Sequence, residues 1–317
     1  NPFLGGGRGR TWGTKAVTIL AITGGTGFVG SRLIDLALAA GHEVRALTRR
    51  PQPARAGVMW IEGALDTPAA LDRLVTEADT VIHVAGVVNA PDRAGFAAGN
   101  IAGTQAVVDA AERADARRFV HVSSLAAREP GLSIYGWSKD EAERVVAKSS
   151  LDWAMVRPPA IYGPGDMEMR DLFRMARMGI ALLPPAGRVS VIEVGDVAAL
   201  LLALAEAGPS HEIYEPDDGQ PGGWSYAELA RAVGVAVGHK VLPVALPKAI
   251  LSLAAHVDQI FRGKAAKLTA DRVGYLCHPD WTASPSKRPD PALWVPQVPT
   301  PQGLAATAAW YRANGLL

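Results

Sequence analysis

The segment Thr23–Gly30, TGGTGFVG, follows an apolar, β-branched run at Val17–Ile22 and leads into an amphipathic stretch at Phe28–Ala40. Few folds accept glycine at Gly24, Gly27 and Gly30 in that setting. A strand-to-helix turn does, if it must bend tightly, admit a ligand to its backbone and pack its helix close to its strand. The helix behind the turn aims free N–H groups and a positive dipole end at the same place, which favours an anion such as a pyrophosphate. The segment therefore predicts the first βα unit of a parallel sheet. It also predicts a dinucleotide site built from Gly24, Thr26, Gly27, Phe28, Val29 and Gly30.

The rhythm continues along the first half. Strands are expected at Glu43–Leu47, Val58–Ile61, Thr80–Val84, Arg118–Val122 and Trp153–Val156. Helices are expected between them: Pro68 to Thr76 with Thr67 as its cap, Gly95–Arg113, and Ile134–Lys148. Alternating strands and helices mean an α/β fold with a doubly wound parallel sheet of Rossmann type. After Arg157 the rhythm loosens around Pro158, Pro159, Pro164, Pro184 and Pro185, and Trp224, Trp281, Trp294 and Trp310 punctuate the last third. The expected organisation is a dinucleotide-binding domain over 15–157, to which 189–207 returns. A smaller C-terminal substrate lobe takes 158–188 and 208–317, and a flexible tail or cloning remnant takes 1–14. Within 189–207, Asp196 is expected to cap a helix.

Composition removes several function classes. Lys+Arg 32 against Asp+Glu 31 leaves a net charge of +1, too little to hold a nucleic acid by counterion release. One cysteine, Cys277, excludes an internal disulfide and a multi-cysteine zinc site, and no metal site is expected at His278-Pro279-Asp280. A cytoplasmic setting is the expectation. No apolar run is long enough to span a membrane. Pro247–Phe261 places Ile250, Leu251, Ala254, Val257, Asp258 and Phe261 near one helical face, with Arg262, Lys264 and Lys267 after it. The expectation is a helix packed on its own domain, with weak surface association as the alternative. A small molecule is the expected partner, and the chain is expected to be a monomer or a homodimer.

The second strand ends in Leu47-Thr48-Arg49-Arg50. An acid at that point would accept bonds from the ribose 2′-hydroxyl of NAD. Thr48 stands there instead, and Arg49 and Arg50 suit a 2′-phosphate. NADP(H) is therefore the expected cofactor, with NAD(H) as the alternative. Tyr135 and Lys139 are four residues apart, which stacks them on one helix face. A phenol is a poor base near neutrality, and a neighbouring ammonium together with an oxidised nicotinamide favours phenolate. Ser123 and Ser124 end the fifth strand at the edge where ligands bind, so a hydroxyl there can donate to a substrate carbonyl.

Taken together, these motifs resemble the extended short-chain dehydrogenase/reductase family, from Ala16 to about Asp196 and more loosely beyond. The matching segments are TGGTGFVG, HVAG (His83–Gly86), Asn100 in NIAGT, HVSS (His121–Ser124), YGWSK (Tyr135–Lys139) and RPPAIYGPGD (Arg157–Asp166). The resemblance implies that Ser124 polarises the carbonyl and Tyr135 donates or accepts the proton. It implies that Lys139 holds ribose and tunes the phenol, and that Asn100 supports Lys139 through water. It further implies that Ala85, Gly86 and the backbone from Pro158 to Ile161 line the cofactor. The family's adenine-binding acid is replaced by Ala64, leaving the Leu65 backbone for adenine.

Sugar-nucleotide epimerases commonly carry an asparagine where this chain reads Pro158-Pro159-Ala160. Sugar-nucleotide dehydratases have Asp-Glu where it reads Leu125-Ala126. The chain looks more like the 3β-hydroxysteroid dehydrogenase and dihydroflavonol reductase side of the family. The resemblance thus implies an NADP(H)-dependent oxidoreductase interconverting an alcohol and a carbonyl on a small, largely apolar substrate. Alternatives are a sugar-nucleotide epimerase and a non-catalytic NADPH-binding subunit.

Overall fold

The computed structural model describes residues 18–263 and 268–317; the expectations for 1–14, Val17, Lys264 and Lys267 fall outside the described residues. β1 (Ile19–Thr23) runs through the glycine turn into α1 (Phe28–Ala39). Gly30, Leu33, Ile34 and Ala37 of α1 are buried, at the spacing of one helical face. β2 (Glu43–Thr48), β3 (Val58–Glu62), α2 (Pro68–Val75) and β4 (Thr80–His83) follow. Thr67 does precede α2, but its side chain does not cap the helix. Its hydroxyl instead accepts from the Ala64 N–H at 3.3 Å.

The helix expected over Gly95–Arg113 starts earlier and is not uniform. It consists of α3 (Arg93–Phe96), a π-helical turn at Ala97–Ala102, and α4 (Gly103–Arg113). A π turn widens the spiral and shifts the face of every residue in it. Here the turn contains Asn100, which is 2% exposed. β5 (Arg118–Val122), α5 (Ile134–Ala147) and β6 (Trp153–Val156) complete the alternating half.

Beyond β6 the elements are shorter, as prolines interrupt the backbone ladder. They are β7 (Ala160–Tyr162), α6 (Arg170–Arg177), β8 (Ile180–Leu183), β9 (Arg188–Val189), β10 (Val191–Glu193) and α7 (Val194–Glu206). Then come β11 (Glu212–Tyr214), β12 (Trp224–Ser225), α8 (Tyr226–Val237) and β13 (Leu242–Ala245). α9 (Lys248–Arg262), α10 (Ala270–Leu276), β14 (Asp280–Trp281) and α11 (Thr300–Ala313) follow.

The main sheet has seven strands in the order β11-β6-β5-β4-β1-β2-β3, and every neighbouring pair is parallel. The fold is a doubly wound Rossmann sheet. Chain direction across the sheet reverses between β1 and β4, which opens a crevice at their carboxyl ends. One face is covered by α1 and α7 over Ile22, Leu33, Val120 and Leu201. The other is covered by α2, α4 and α5 over Leu71, Val107, Phe119 and Val146. Each such side chain contributes about 1.5–3 kcal/mol by leaving water. A third core, with Tyr162, Phe173, Leu229, Trp281 and Tyr311, lies among the later elements.

Three expectations change. The range 208–317 does not belong wholly to the lobe, since β11 is the seventh strand of the main sheet. The short link after α7 returns the chain to β6, where the His211 N–H donates to Trp153 O at 2.7 Å and the Arg157 N–H donates to Tyr214 O at 2.7 Å. Asp196 does not cap α7, because Glu193 does so through the Gly195 N–H. Asp196 is 3% exposed and accepts from the Gln297 and Val298 N–H groups at 3.0 Å each, tying a distant segment to α7. Most of the large apolar side chains of α9 are not packed on their own domain: Ala255 is buried and Leu251 half-buried, while Ile250, Leu253, Val257, Ile260 and Phe261 are exposed. Among the described residues, no helix is long and apolar enough to cross a membrane.

Candidate active site

The glycine turn is shaped as the sequence requires. Gly24 has φ +72°, and a Cβ on it would lie 2.7 Å from the Ala85 backbone nitrogen. No other residue type fits both conditions. Thr23 secures the same strand ends: its hydroxyl accepts from the Ala85 N–H at 3.2 Å and is hydrogen-bonded to His83 Nδ1 at 2.7 Å. Gly27 begins α1 and no side chain caps that helix, so its first N–H groups are left for a ligand.

Across the crevice, Thr48 is 4% exposed and its hydroxyl donates to Arg50 O at 2.7 Å. That local turn carries the chain out of the sheet and leaves Arg49 and Arg50 exposed beside the strand end. Leu65 is half-buried against α4. Pro158 O accepts from the Leu125 N–H at 3.1 Å, and Ile161 lies in β7, paired with Ile192.

The two serines at the end of β5 point to different partners, since successive side chains on an extended backbone alternate. Ser123 is 3% exposed and donates to Glu143 Oε1. Ser124 is partly exposed and lies near enough to the Tyr135 phenol to draw its pKa down against burial. Ser124 also starts a 3₁₀ turn at Leu125–Arg128 by accepting from the Ala126 N–H at 3.2 Å. That turn packs directly on α5 because of Gly136. A Cβ there would stand 2.6 Å from Ala126 O. Ser133 caps α5 through the Gly136 N–H at 2.9 Å, and Asp271 of α10 accepts from the Ile134 N–H at 2.7 Å.

Lys139 lies on the same face of α5 as Tyr135, is 5% exposed, and donates through Nζ to Val122 O at 2.8 Å. Burial holds its ammonium down to about 8, with the Glu143 carboxylate opposing. The Tyr135 phenol is pushed up by burial, with the Ser124 hydroxyl opposing and the Glu168 charge adding. That direction is the reverse of what a neighbouring ammonium alone would give. Asn100 is fully engaged: its Nδ2 donates to Val87 O at 2.9 Å and Ser138 Oγ at 2.8 Å, and its Oδ1 accepts from the Val87 N–H at 2.7 Å. It braces the segment after β4 against α5 and makes no direct bond to Lys139. A Cβ on Gly86 would stand 3.2 Å from Asn100 Oδ1 and 3.4 Å from Lys139 Nζ. The two groups thus border one small space at the mouth of the crevice.

Several neighbours had no signal in the sequence. Glu143 is gripped by Arg157 at 2.8 and 2.6 Å, Arg157 meets Glu215 at 3.4 Å, and Arg128 meets Glu215 at 3.4 Å. This charged ladder fixes α5, the end of β6, the end of β11 and the 3₁₀ turn to one another. Tyr275 of α10 stacks on Trp281 at 4.6 Å, and burial pushes its phenol up, with the neighbouring Tyr135 phenol adding. Phe96 faces Tyr135 at 6.2 Å, and the Arg93 guanidinium sits 3.5 Å over the Trp137 ring. His83 and His121 are stacked at 5.3 Å and fully buried, and burial pushes His83 down to about 3, so both stay neutral. His278 packs on Trp281, and no group of metal-ligating side chains occurs among the described residues.

A dinucleotide fits this arrangement: an uncapped helix start, a glycine turn with no Cβ in the way, and a crevice leading to Lys139 and Tyr135. The NAD(P)H-binding family model matches residues 24–207. The ceramide reductase of Caulobacter vibrioides is 38% identical over 317 residues, covering 96% of this chain and 98% of that protein. A 3β-hydroxysteroid dehydrogenase/Δ5→4-isomerase of Mycobacterium tuberculosis is 30% identical over 189 residues, covering 50% of this chain and 51% of that protein. The solved structure of WbmG from Bordetella bronchiseptica in complex with NAD superposes with a TM-score of 0.73 at 21% identity, covering 96% of this chain and 97% of that one.

Proposed function

The chain belongs to the extended short-chain dehydrogenase/reductase family, is an NAD(P)-dependent oxidoreductase, and on that premise we propose that it reduces a ketone on a long-chain lipid of the ceramide class, with NADPH as reductant. The observation that carries the chemistry is the Tyr135 phenol standing beside Ser124 and one helical turn from the buried ammonium of Lys139. The substrate class rests on the likeness to the ceramide reductase along nearly the whole chain.

The glycine turn and the start of α1 hold the pyrophosphate, Ala85, Gly86 and the Pro158–Ile161 backbone line the cofactor, and Leu65 borders adenine. Arg49 and Arg50 take the 2′-phosphate, since Thr48 offers no carboxylate to a free ribose. The bound nicotinamide supplies the hydride. Ser124 donates a hydrogen bond to the carbonyl oxygen and stabilises the negative charge that grows there. Tyr135 delivers the proton to that oxygen, and its raised pKa keeps the proton in place until the charge develops. Lys139 holds the ribose hydroxyls and steadies the phenolate left on Tyr135. Asn100 keeps the Val87 backbone and α5 in register, so that this spacing survives. The elements after β6, apart from α7 and β11, form the substrate side, with Tyr275 of α10 near the Tyr135 phenol.

The test is NADPH consumption by the purified protein with a ceramide whose long-chain base carries a ketone. Steady turnover with equimolar loss of ketone is expected. Turnover confined to a sugar nucleotide, without net change in cofactor, would refute the reading.

A further inference from the structure

α9 carries an apolar face that the described residues leave largely open. Ile250, Leu253, Val257, Ile260 and Phe261 are 50%, 65%, 44%, 68% and 83% exposed. With Ala254 they fall on about one third of the helix circumference at 3.6 residues per turn. The other side holds Leu251, Ala255 and Asp258, and of these only Ala255 is buried. A helix packed on its own domain turns its wide apolar stripe inward. α9 does the opposite, and a continuous patch of large apolar side chains marks contact with something outside the chain.

The charges around the stripe say what that is. Lys248 opens the helix, Arg262 closes it, and both are exposed. Lys264 and Lys267 follow in the sequence. The only carboxylate of the helix, Asp258, lies on the side away from the stripe with Lys248 and Arg262, and its Oδ2 accepts from the Leu268 N–H at 2.9 Å while Oδ1 meets Arg262 at 3.3 Å. Over 248–267 the sequence carries four cations, Lys248, Arg262, Lys264 and Lys267, against the single carboxylate Asp258, and that positive balance behind an outward apolar stripe complements an anionic bilayer. Acyl chains meet the apolar residues, and phosphates meet the basic ends. A second copy of the chain would instead set like charges against each other.

The position of the helix matters as well. α9 packs on α10, and α10 supplies both Asp271 to the start of α5 and Tyr275 to the phenol side of the crevice. β13, which enters α9 through Leu246 and Pro247, carries Leu242 at 66% exposure. We propose that α9 lies in the headgroup region of an anionic lipid bilayer and seats the α10 side of the crevice against it. The docking does not depend on which carbonyl is reduced, since its readout is binding to lipid.

The experiment is co-sedimentation of the full chain with vesicles of phosphatidylcholine, alone or mixed with an equal part of phosphatidylglycerol. Binding to the mixed vesicles is expected to be at least about tenfold tighter and to weaken as salt rises. The double substitution Leu253→Glu with Phe261→Glu should lower that binding at least about tenfold and leave NADPH affinity unchanged, because neither residue belongs to the cofactor site. Lys248→Glu should weaken it by less. Failure of the wild-type chain to sediment with the mixed vesicles overturns the proposal. So does binding that survives the double substitution. Sedimentation velocity separates the remaining case: a dimer that the same substitutions split, with no vesicle binding, gives the face to a second copy.

Discussion

Lys139 combines two demands that pull against each other. Its ammonium must sit close to Tyr135, so it is buried, and burial brings its pKa to about 8. The charged form is then complete only below that pH. The account predicts that kcat for carbonyl reduction is level at neutral pH and falls as pH rises through about 8, as the ammonium is lost. Tyr135 does not produce that limb, since burial pushes its phenol up. Lys139→Arg should abolish the limb in a kcat–pH profile, because a guanidinium stays charged throughout. A limb at the same pH in that variant would contradict the assignment. Arg49 allows a second check by calorimetry. Arg49→Ala should cost about 1.5–3 kcal/mol in NADPH affinity and little in NADH affinity. Equal or tighter binding of NADH by the unaltered chain would exclude the 2′-phosphate reading. The residues behind both predictions are legible in the sequence, because Tyr135 and Lys139 are four apart and Arg49 follows a strand end. The partners of Ser123 and Ser124 are not legible, since alternation assigns them only once Glu143 and Tyr135 are placed in space.

Gly136 shows how an element, rather than a side chain, sets the site. The 3₁₀ turn that presents Ser124 can lie on α5 only while nothing extends from Gly136 toward Ala126 O, 2.6 Å from where a Cβ would stand. Gly136→Ala must push the turn away. It should lower stability by about 1–3 kcal/mol in urea unfolding. It should also cut kcat, with NADPH affinity nearly unchanged. Unaltered stability and kcat would show that the turn is not held this way. At this scale the strands up to β6, with α1, α2 and α5, follow from periodicity to within a residue or two at their ends, while most of the short elements after β6 do not. The π turn at Ala97–Ala102 does not, because its widened spiral depends on Asn100 bonding to Val87 and Ser138, which come from other segments. The orientation of α9 was likewise out of reach: an apolar stripe has the same spacing whether it faces a core or a bilayer.

The whole molecule is tied together by contacts between segments far apart in the chain. The Ser123–Glu143–Arg157–Glu215–Arg128 ladder joins both halves behind the crevice. Glu143→Ala would leave Arg157 buried without its closest counter-charge, and about 3–5 kcal/mol of stability should go with it. Full stability in that variant, by thermal unfolding, would show that the ladder is dispensable. No local pattern announces such a network, nor the return of β11 to the main sheet, since both depend on where the chain goes after β6. The alternation of the first six strands with helices was legible because each crossover is short and regular. The central claim is that this frame exists to let Tyr135 pass a proton to a carbonyl as hydride arrives. It is tested most directly by comparing NADPH-driven ketone reduction in the unaltered chain and in Tyr135→Phe, which keeps the ring and removes the proton. The account predicts a fall in kcat of about 10²–10⁴ with NADPH affinity near normal. Turnover by Tyr135→Phe at close to the unaltered rate would contradict it.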